Sequence, residues 1–366
     1  MKKKIGILTM YYTNISHGGL LQAFSFCKVL QRMGYDAEQI KYDYNVRFRN
    51  LSFKSKLKKI IKKIPYSILS VINNDKTESK YYEYMEEIAH SDYCTTETIE
   101  SICEKYDYLV VGSDQVWNMA YCDNNFFFPF SLDVKKIAYA ASVGKDVLDY
   151  SELKDLVNNI KDFSAVSVRE KKLAEQLNEY SKANVGFVCD PVFLNSVSFW
   201  RKHAIKSKFK ERYTLVYILG TDKREKKLAY ETARKIGLKI VTIPNVNIDM
   251  RVSDFTRKEK RLFNIGPKEF LGLIDGADYV LTDSFHCTAF SIIFNKDFYA
   301  FSRPNKEFSM NSRIFSILSE VNLKDRFIDL NNINSFLARP IDYQKSNHLL
   351  ANFIEKSYEW IENALK

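Results

Sequence analysis

The sequence predicts two α/β domains, each a doubly wound parallel sheet, and a last helix that returns toward the first domain. Three observations predict this. Short apolar runs of strand length alternate with segments of helical apolar spacing, and polar loops follow the runs. The alternation stops at the charged segment 201–212 and then restarts. Residues 349–365 then repeat apolar side chains at helical spacing, with Trp360 on the apolar side. The boundaries are drawn at 1–205, 206–345 and 346–366.

Residues 4–10 read as a buried first strand. A loop leads to His17-Gly18-Gly19, and Leu20, Ala23, Phe24, Cys27, Leu30 and Met33 then recur at helical spacing up to Gly34. Residues 38–42 form the next strand. Gly18 and Gly19 at this strand-to-helix junction allow a ligand or another chain segment to approach the backbone, and the helix N-terminus favours an anion. The pattern is not GxGxxG, so no dinucleotide fingerprint is present. Residues 47–73 are an insertion in which Lys54, Lys58, Lys59, Lys62 and Lys63 interleave with apolar residues. This basic amphipathic segment fits either an anionic membrane surface or a helix packed on the protein by its apolar face.

A strand at 106–111 ends in Gly112-Ser113-Asp114-Gln115-Val116-Trp117-Asn118, a run of small and polar side chains suited to a cleft wall. Ser113, Gln115 and Trp117 are candidate substrate contacts; Trp117 reads either as a sugar-stacking ring or as core. Asp114 is either a group that orients or deprotonates a hydroxyl, or a loop cap. Strands follow at 137–142, at 165–168, which delivers Arg169-Glu170, and at 185–189, closed by Asp190-Pro191. The second series begins with a strand at 213–219, a helix at 224–236 stopped by Gly237 and a strand at 239–243. A helix at 268–274 leads to the stretch YVLTDSFHCTAFSIIF at 279–294, which reads as strand, turn and helix. Asp283, Ser284 and His286 thus fall at the carboxyl end of a strand, where open α/β sheets bind ligands. The alternative is that Asp283 or Ser284 caps the helix and His286 is polar filler. A strand at 297–301, a loop carrying Arg303 and Lys306, and a helix from 312 that carries Arg313 follow.

The hydrophobic fraction of 46% and charged fraction of 27% are those of a globular protein, and 366 residues suffice for two domains. Six cysteines show no CxxC pair and the five histidines are scattered, so reduced core thiols are expected and no metal site. The lysines before the apolar run 5–10 imitate a targeting signal, but the run is too short. No stretch reaches the ~18 apolar residues of a membrane span. A cytoplasmic protein is expected, peripheral on the inner membrane face if the basic segment docks there. The net charge of +10 points to anionic partners, and no nucleic-acid module is visible, so no nucleic-acid partner is expected. Two Rossmann-like halves with one linker match the two-lobed architecture of many glycosyltransferases, an analogy of fold.

Taken together, GGLLQAFSFCKVLQRMGY from Gly18, VGSDQVWN from Val111, YAASVG from Tyr139, SVREK from Ser167, DPVFL from Asp190 and LTDSFHCTAFSIIFNKDFYAF from Leu281 resemble the polysaccharide pyruvyl transferase family, in family order over about 1–315. The resemblance implies a GT-B-like fold and transfer of pyruvyl from phosphoenolpyruvate to a sugar as a ketal, with no cofactor. The acceptor is implied to be a surface polysaccharide or its lipid-linked oligosaccharide precursor, bound on the first domain, with phosphoenolpyruvate on the second. The family's histidine falls on His286, a required arginine on Arg169 and a lysine on Lys306. Two departures stand out. Cys287 replaces a glycine, and Ser284-Phe285 replace an Arg-Leu pair, so Arg303, Lys306 or Arg313 would have to supply the missing cation.

The chemistry fits these residue types. Phosphoenolpyruvate brings a carboxylate and a phosphate, which guanidinium forks bind in pairs. Ketal formation needs an acid that turns base, a role suited to His286. Asp114 would serve the acceptor hydroxyl. Two other readings stay open: a sugar-nucleotide glycosyltransferase of the same fold, and a non-catalytic, membrane-docked scaffold of glycan assembly.

Overall fold

The computed structural model describes residues 2–12, 16–44, 75–181, 184–220, 222–243, 259–303, 311–330 and 340–366. The basic segment 47–73 and Lys306 lie outside the described residues. The first sheet comprises β1 (Lys4–Leu8), β2 (Asp36–Tyr42), β3 (His90–Cys94), β4 (Tyr108–Val111), β5 (Lys135–Ala141), β6 (Ala165–Val168) and β7 (Gly186–Phe187). Its order is β3-β2-β1-β4-β5-β6-β7, with every pair parallel. The second comprises β8 (Tyr213–Tyr217), β9 (Lys239–Thr242), β10 (Lys260–Arg261), β11 (Tyr279–Thr282), β12 (Asp297–Phe301) and β13 (Phe327–Ile328). Its order is β10-β9-β8-β11-β12-β13, again parallel throughout. Parallel sheets need helices on both faces, which is why β4 and β11 are apolar runs buried at every residue.

Both sheets reverse strand order once, at β1/β4 and at β8/β11. Ligands of open α/β sheets bind outside the strand ends at such switch points. The first crevice is edged by the helix His17–Arg32 and by Ser113-Asp114 after β4. The second is edged by Asp283 and the helix Phe285–Ile293, whose nine residues are all buried. That helix is buried around its whole circumference because it is covered by both domains.

One apolar cluster runs from β1 through the seam into β11. Trp200, fully buried, meets Phe290 edge-on at 4.9 Å between centroids. His17 lies flat on Phe270 at 4.3 Å and 4°. Each such buried ring contributes roughly 1.5–3 kcal/mol of transfer free energy. The helix Tyr343–Ala364 starts on the second domain, where the Tyr343 hydroxyl donates to the Lys296 carbonyl. It ends on the first: Ser357 Oγ accepts from the Cys189 amide at 3.0 Å, and the Tyr358 hydroxyl donates to Leu194 O at 2.6 Å. Trp360 rests on Gly186, where a Cβ would overlap the indole.

Candidate active site

His286 occupies the first turn of its helix, and Ser284 is the N-cap, accepting from the Cys287 amide at 3.4 Å. Thr288 returns its hydroxyl to the Ser284 carbonyl at 3.0 Å, so this turn is locked. The imidazole crosses the seam and lies on Gly18 of the first domain, where any Cβ would overlap the ring. Gly18 therefore serves a close approach, and what approaches is the histidine.

The acid that faces His286 is Asp190, not Asp283. His286 Nε2 is 3.6 Å from Asp190 Oδ2, within ion-pair range but beyond a hydrogen bond, so Nε2 is buried without a hydrogen-bond partner. Asp190 is 1% exposed. It accepts from Arg169 Nη1 at 2.6 Å, from Ser113 Oγ at 3.0 Å and from the Val192 amide at 3.0 Å. Burial opposes ionisation of this carboxyl, but His286, Arg169 and the Val192 amide outweigh it and hold it well below the usual carboxylate range. Asp283 is engaged elsewhere: it accepts from the Leu219 and Gly220 amides at 2.7 and 2.6 Å and from Arg303 Nε at 2.8 Å. Burial and the adjacent Asp283 push Glu225 far above the carboxylate range, so this acid stands neutral beside it.

Arg169 and Arg313 both point at Asp114. Arg169 Nη2 lies 3.5 Å from Asp114 Oδ1, and Arg313 Nη1 lies 4.0 Å from the same oxygen. Asp114 has a left-handed backbone, φ 68°, and also accepts from the Gln115 amide at 2.9 Å. For Arg169, burial disfavours the charge, but Asp190 and Asp114 outweigh it and raise its pKa. For Arg313, burial and then the neighbouring Arg169 win, and its guanidinium is pulled down to about 10. Its Nε is buried with no hydrogen-bond partner. The Arg169 guanidinium also stacks over the Phe285 ring at 4.4 Å, so the phenylalanine at this departure supports the arginine. Glu170, buried behind the pair, is pushed up by burial against the pull of Arg169, and the Ser142 hydroxyl donates to it.

Of the three cations considered for the missing arginine, Arg313 joins Arg169 and Arg303 is committed to Asp283. Lys306 lies outside the described residues. Gly19 sits in the first turn of the first helix, its amide bonded to Ser16 Oγ at 3.3 Å. Gln115 accepts from Asn118 Nδ2 at 2.8 Å. For two residues the structure takes the core or capping alternative that the sequence left open. Trp117 is core: its indole is stacked on Phe127 at 5.7 Å and 13°, with Nε1 donating to Phe126 O at 3.4 Å. The Ser284 hydroxyl is the helix cap. The sequence reading also passes over Asp190 and Glu170, whose only signals are the Asp-Pro pair after β7 and the acid following Arg169.

The arrangement places a buried histidine against a fully ionised carboxylate and next to two guanidiniums, Arg169 paired with Asp190 and Arg313 meeting Asp114 at 4.0 Å. It can bind an anion and move a proton beside it. Among the described residues, no group of three His, Cys, Asp or Glu side chains is placed to hold a metal, and no helix is long and apolar enough to cross a membrane.

Solved structures of the same fold include UDP-GlcNAc 2-epimerase from Methanocaldococcus jannaschii, at 15% identity and TM-score 0.52, covering 97% of this chain and 93% of that one. The UDP-GlcNAc 2-epimerase of Neisseria meningitidis bound to UDP-GlcNAc gives 10% and 0.51, covering 100% and 94%. HepE of Anabaena in complex with UDP-glucose gives 9% and 0.52, covering 99% and 100%. At these identities the likeness is one of fold: two parallel-sheet α/β domains in the GT-B-like arrangement. No curated protein matches the sequence. The family model for polysaccharide pyruvyl transferase matches residues 17–305, well over half of the chain, and the chain belongs to that family.

Proposed function

We propose that the protein transfers pyruvyl from phosphoenolpyruvate to two hydroxyls of one sugar, in a surface polysaccharide or its lipid-linked precursor, forming a ketal and releasing phosphate. The observation that carries this reading is the buried Arg169–Arg313 pair around one carboxylate, beside His286. Asp190 offsets Arg169, whereas Arg313 meets Asp114 at 4.0 Å and lacks the partners that would compensate its burial. A carboxylate or phosphate oxygen would complete it.

In this reading His286 gives a proton to the C3 methylene, and a sugar hydroxyl adds to C2. The C2–O bond to phosphate then breaks. The second hydroxyl closes the ring, its proton returning to a base. One trianion and one diol give a ketal monoanion and hydrogen phosphate, so atoms and charge balance. Asp190 acts through His286 by stabilising the imidazolium, a positioning role. Asp114, next to both arginines, is the group that would meet the acceptor hydroxyl.

The test is phosphate release from phosphoenolpyruvate with a panel of galactosides, glucosides and N-acetylmannosaminides, with mass detection of products. A product heavier by one pyruvyl ketal supports the reading and names the acceptor. Response to a nucleotide sugar with none to phosphoenolpyruvate would replace it by glycosyl transfer. A lipid-linked acceptor would place the enzyme at a membrane, which is one of the two readings of the basic segment 47–73. No flotation with anionic liposomes would count against that placement.

A further inference from the structure

Beside the arginine pair lies a cavity of about 780 Å³, open between the two domains. Its walls come from the helix Lys171–Ser181 of the first domain, from the end of β12 and the helix Ser312–Glu320 of the second, and from the segment 324–329. It shares structure with the transfer centre on two sides. Arg169 is two residues before Lys171, and the Lys171 amide donates to Ser316 Oγ at 3.3 Å across the cleft. Ser312, in the cavity wall, precedes Arg313. Nothing in the chemistry so far uses this space.

We propose that this cavity is the saccharide subsite of the acceptor, a reading that rests on the pyruvyl transfer proposed above. Its composition selects a polyol over a polyanion. Four cations line it, Lys171, Lys172, Arg303 and Lys324, against the three carboxylates Asp146, Glu175 and Asp329. Two of those cations are already paired, Lys171 with Glu320 at 3.2 Å and Arg303 with Asp283 at 2.8 Å. A trianion therefore gains more beside the under-compensated Arg313. The remaining lining is rich in hydroxyls and amides that match sugar hydroxyls, with Ser302, Asn311, Ser312 and Ser319 among them.

An aromatic platform completes the match. Phe315 is 45% exposed on a helix whose other apolar residues, Ile314, Ile317 and Leu318, are buried. Its ring is braced edge-on by Phe327 at 6.1 Å and 79°, and Lys324 Nζ lies 5.5 Å from its centroid. An exposed, braced ring among hydroxyls and carboxylates is what the C–H face of a pyranose stacks on. The volume falls in the range of small-molecule sites. The subsite differs from the implied placement of the acceptor on the first domain, because most of its wall belongs to the second.

Saturation-transfer NMR with galactose, glucose, mannose, N-acetylglucosamine and N-acetylmannosamine, each with and without phosphoenolpyruvate, tests the assignment. At least one sugar should receive saturation, and phosphoenolpyruvate should not displace it. Phe315→Ala should reduce the transfer several-fold, and Glu175→Ala, a change at an exposed rim, should reduce it while melting as the parent does. Absence of transfer from every sugar, competition by phosphoenolpyruvate, or transfer unchanged in both variants would overturn the subsite. The readout needs no turnover. Sugar binding at Phe315 without pyruvyl transfer would sink the proposed reaction and leave the subsite, and turnover with unaltered binding in both variants would do the reverse.

Discussion

Replacing Arg313 by methionine should stabilise the protein while it disables substrate binding. The residue is 8% exposed, and burial together with Arg169 pulls its guanidinium from the ordinary arginine value down to about 10. At about 1.4 kcal/mol per tenfold, the fold disfavours this charge by roughly 3 kcal/mol. Both values lie far above neutrality, so the cation bears the whole penalty at every working pH. Methionine fills similar space without a charge. Asp114 loses a partner at 4.0 Å but keeps Arg169 at 3.5 Å and the Gln115 amide. The net gain should be on the order of 1–2 kcal/mol, a rise of a few degrees in melting temperature for domains of this size. A lost charge-assisted contact to phosphoenolpyruvate costs about 1.5–3 kcal/mol, roughly a tenfold to hundredfold loss of affinity. Calorimetric melting with and without phosphoenolpyruvate reads both effects: the variant should melt higher alone and lose the ligand-induced shift. A variant that melts lower and retains the shift would show that Arg313 is a structural ion pair and would refute the assignment.

Gly18→Ala should keep the fold, since alanine is the better helix former, and should cut turnover about 10²-fold, because the new methyl pushes the His286 ring aside. Full activity in that variant would mean the ring position does not matter. His286→Ala should lose ~10²-fold or more in phosphate release. Asp190→Asn should lose activity and also melt lower, by on the order of 3 kcal/mol, because Arg169 is left buried without its 2.6 Å counter-charge; an unchanged melt would contradict the pairing. Burial pulls His17 down to about 3 from an ordinary value near 6.5. Its folded value lies below its unfolded one, so this contribution to stability is present above pH 6.5 and is lost as pH falls toward 3. The loss is on the order of 1 kcal/mol per pH unit, and His17→Phe should flatten the slope in acid melts. A parallel slope in parent and variant would exclude His17 as its source.

The alternation of apolar strands and polar loops exposed most of both sheets to sequence reading, because parallel strands covered on two faces leave unbroken apolar runs such as Leu109–Val111 and Val280–Leu281. Of the edge strands, β3, β10 and β13 escaped it. His90-Ser91-Asp92-Tyr93-Cys94 is covered on few sides and carries no apolar run, and the helix Thr77–Glu86 before it buries only Thr77, Tyr81, Tyr84 and Met85. At the site, His286 and Arg169 stand at strand ends and could be singled out by position. Which carboxylate faces the histidine could not. Asp283 is three residues away in sequence, yet its oxygens are taken by the Leu219 and Gly220 amides; Asp190 is almost a hundred residues away and meets the ring across the seam. Pairing between domains is set by how two rigid bodies dock, and local spacing carries no record of it.

The long helix Tyr343–Ala364 has a further consequence for how the chain is made. The C-terminal segment covers the first sheet from β7, where Trp360 lies on Gly186, to β4, where the Tyr108 hydroxyl donates to Leu365 O at 2.9 Å. During synthesis the first domain therefore waits with that part of the sheet bare while more than 150 further residues emerge. Domains form as they leave the ribosome, and an apolar face bared for that interval is a place where chains stick to one another. The yield of native protein should depend on this helix more steeply than the stability of the finished fold does.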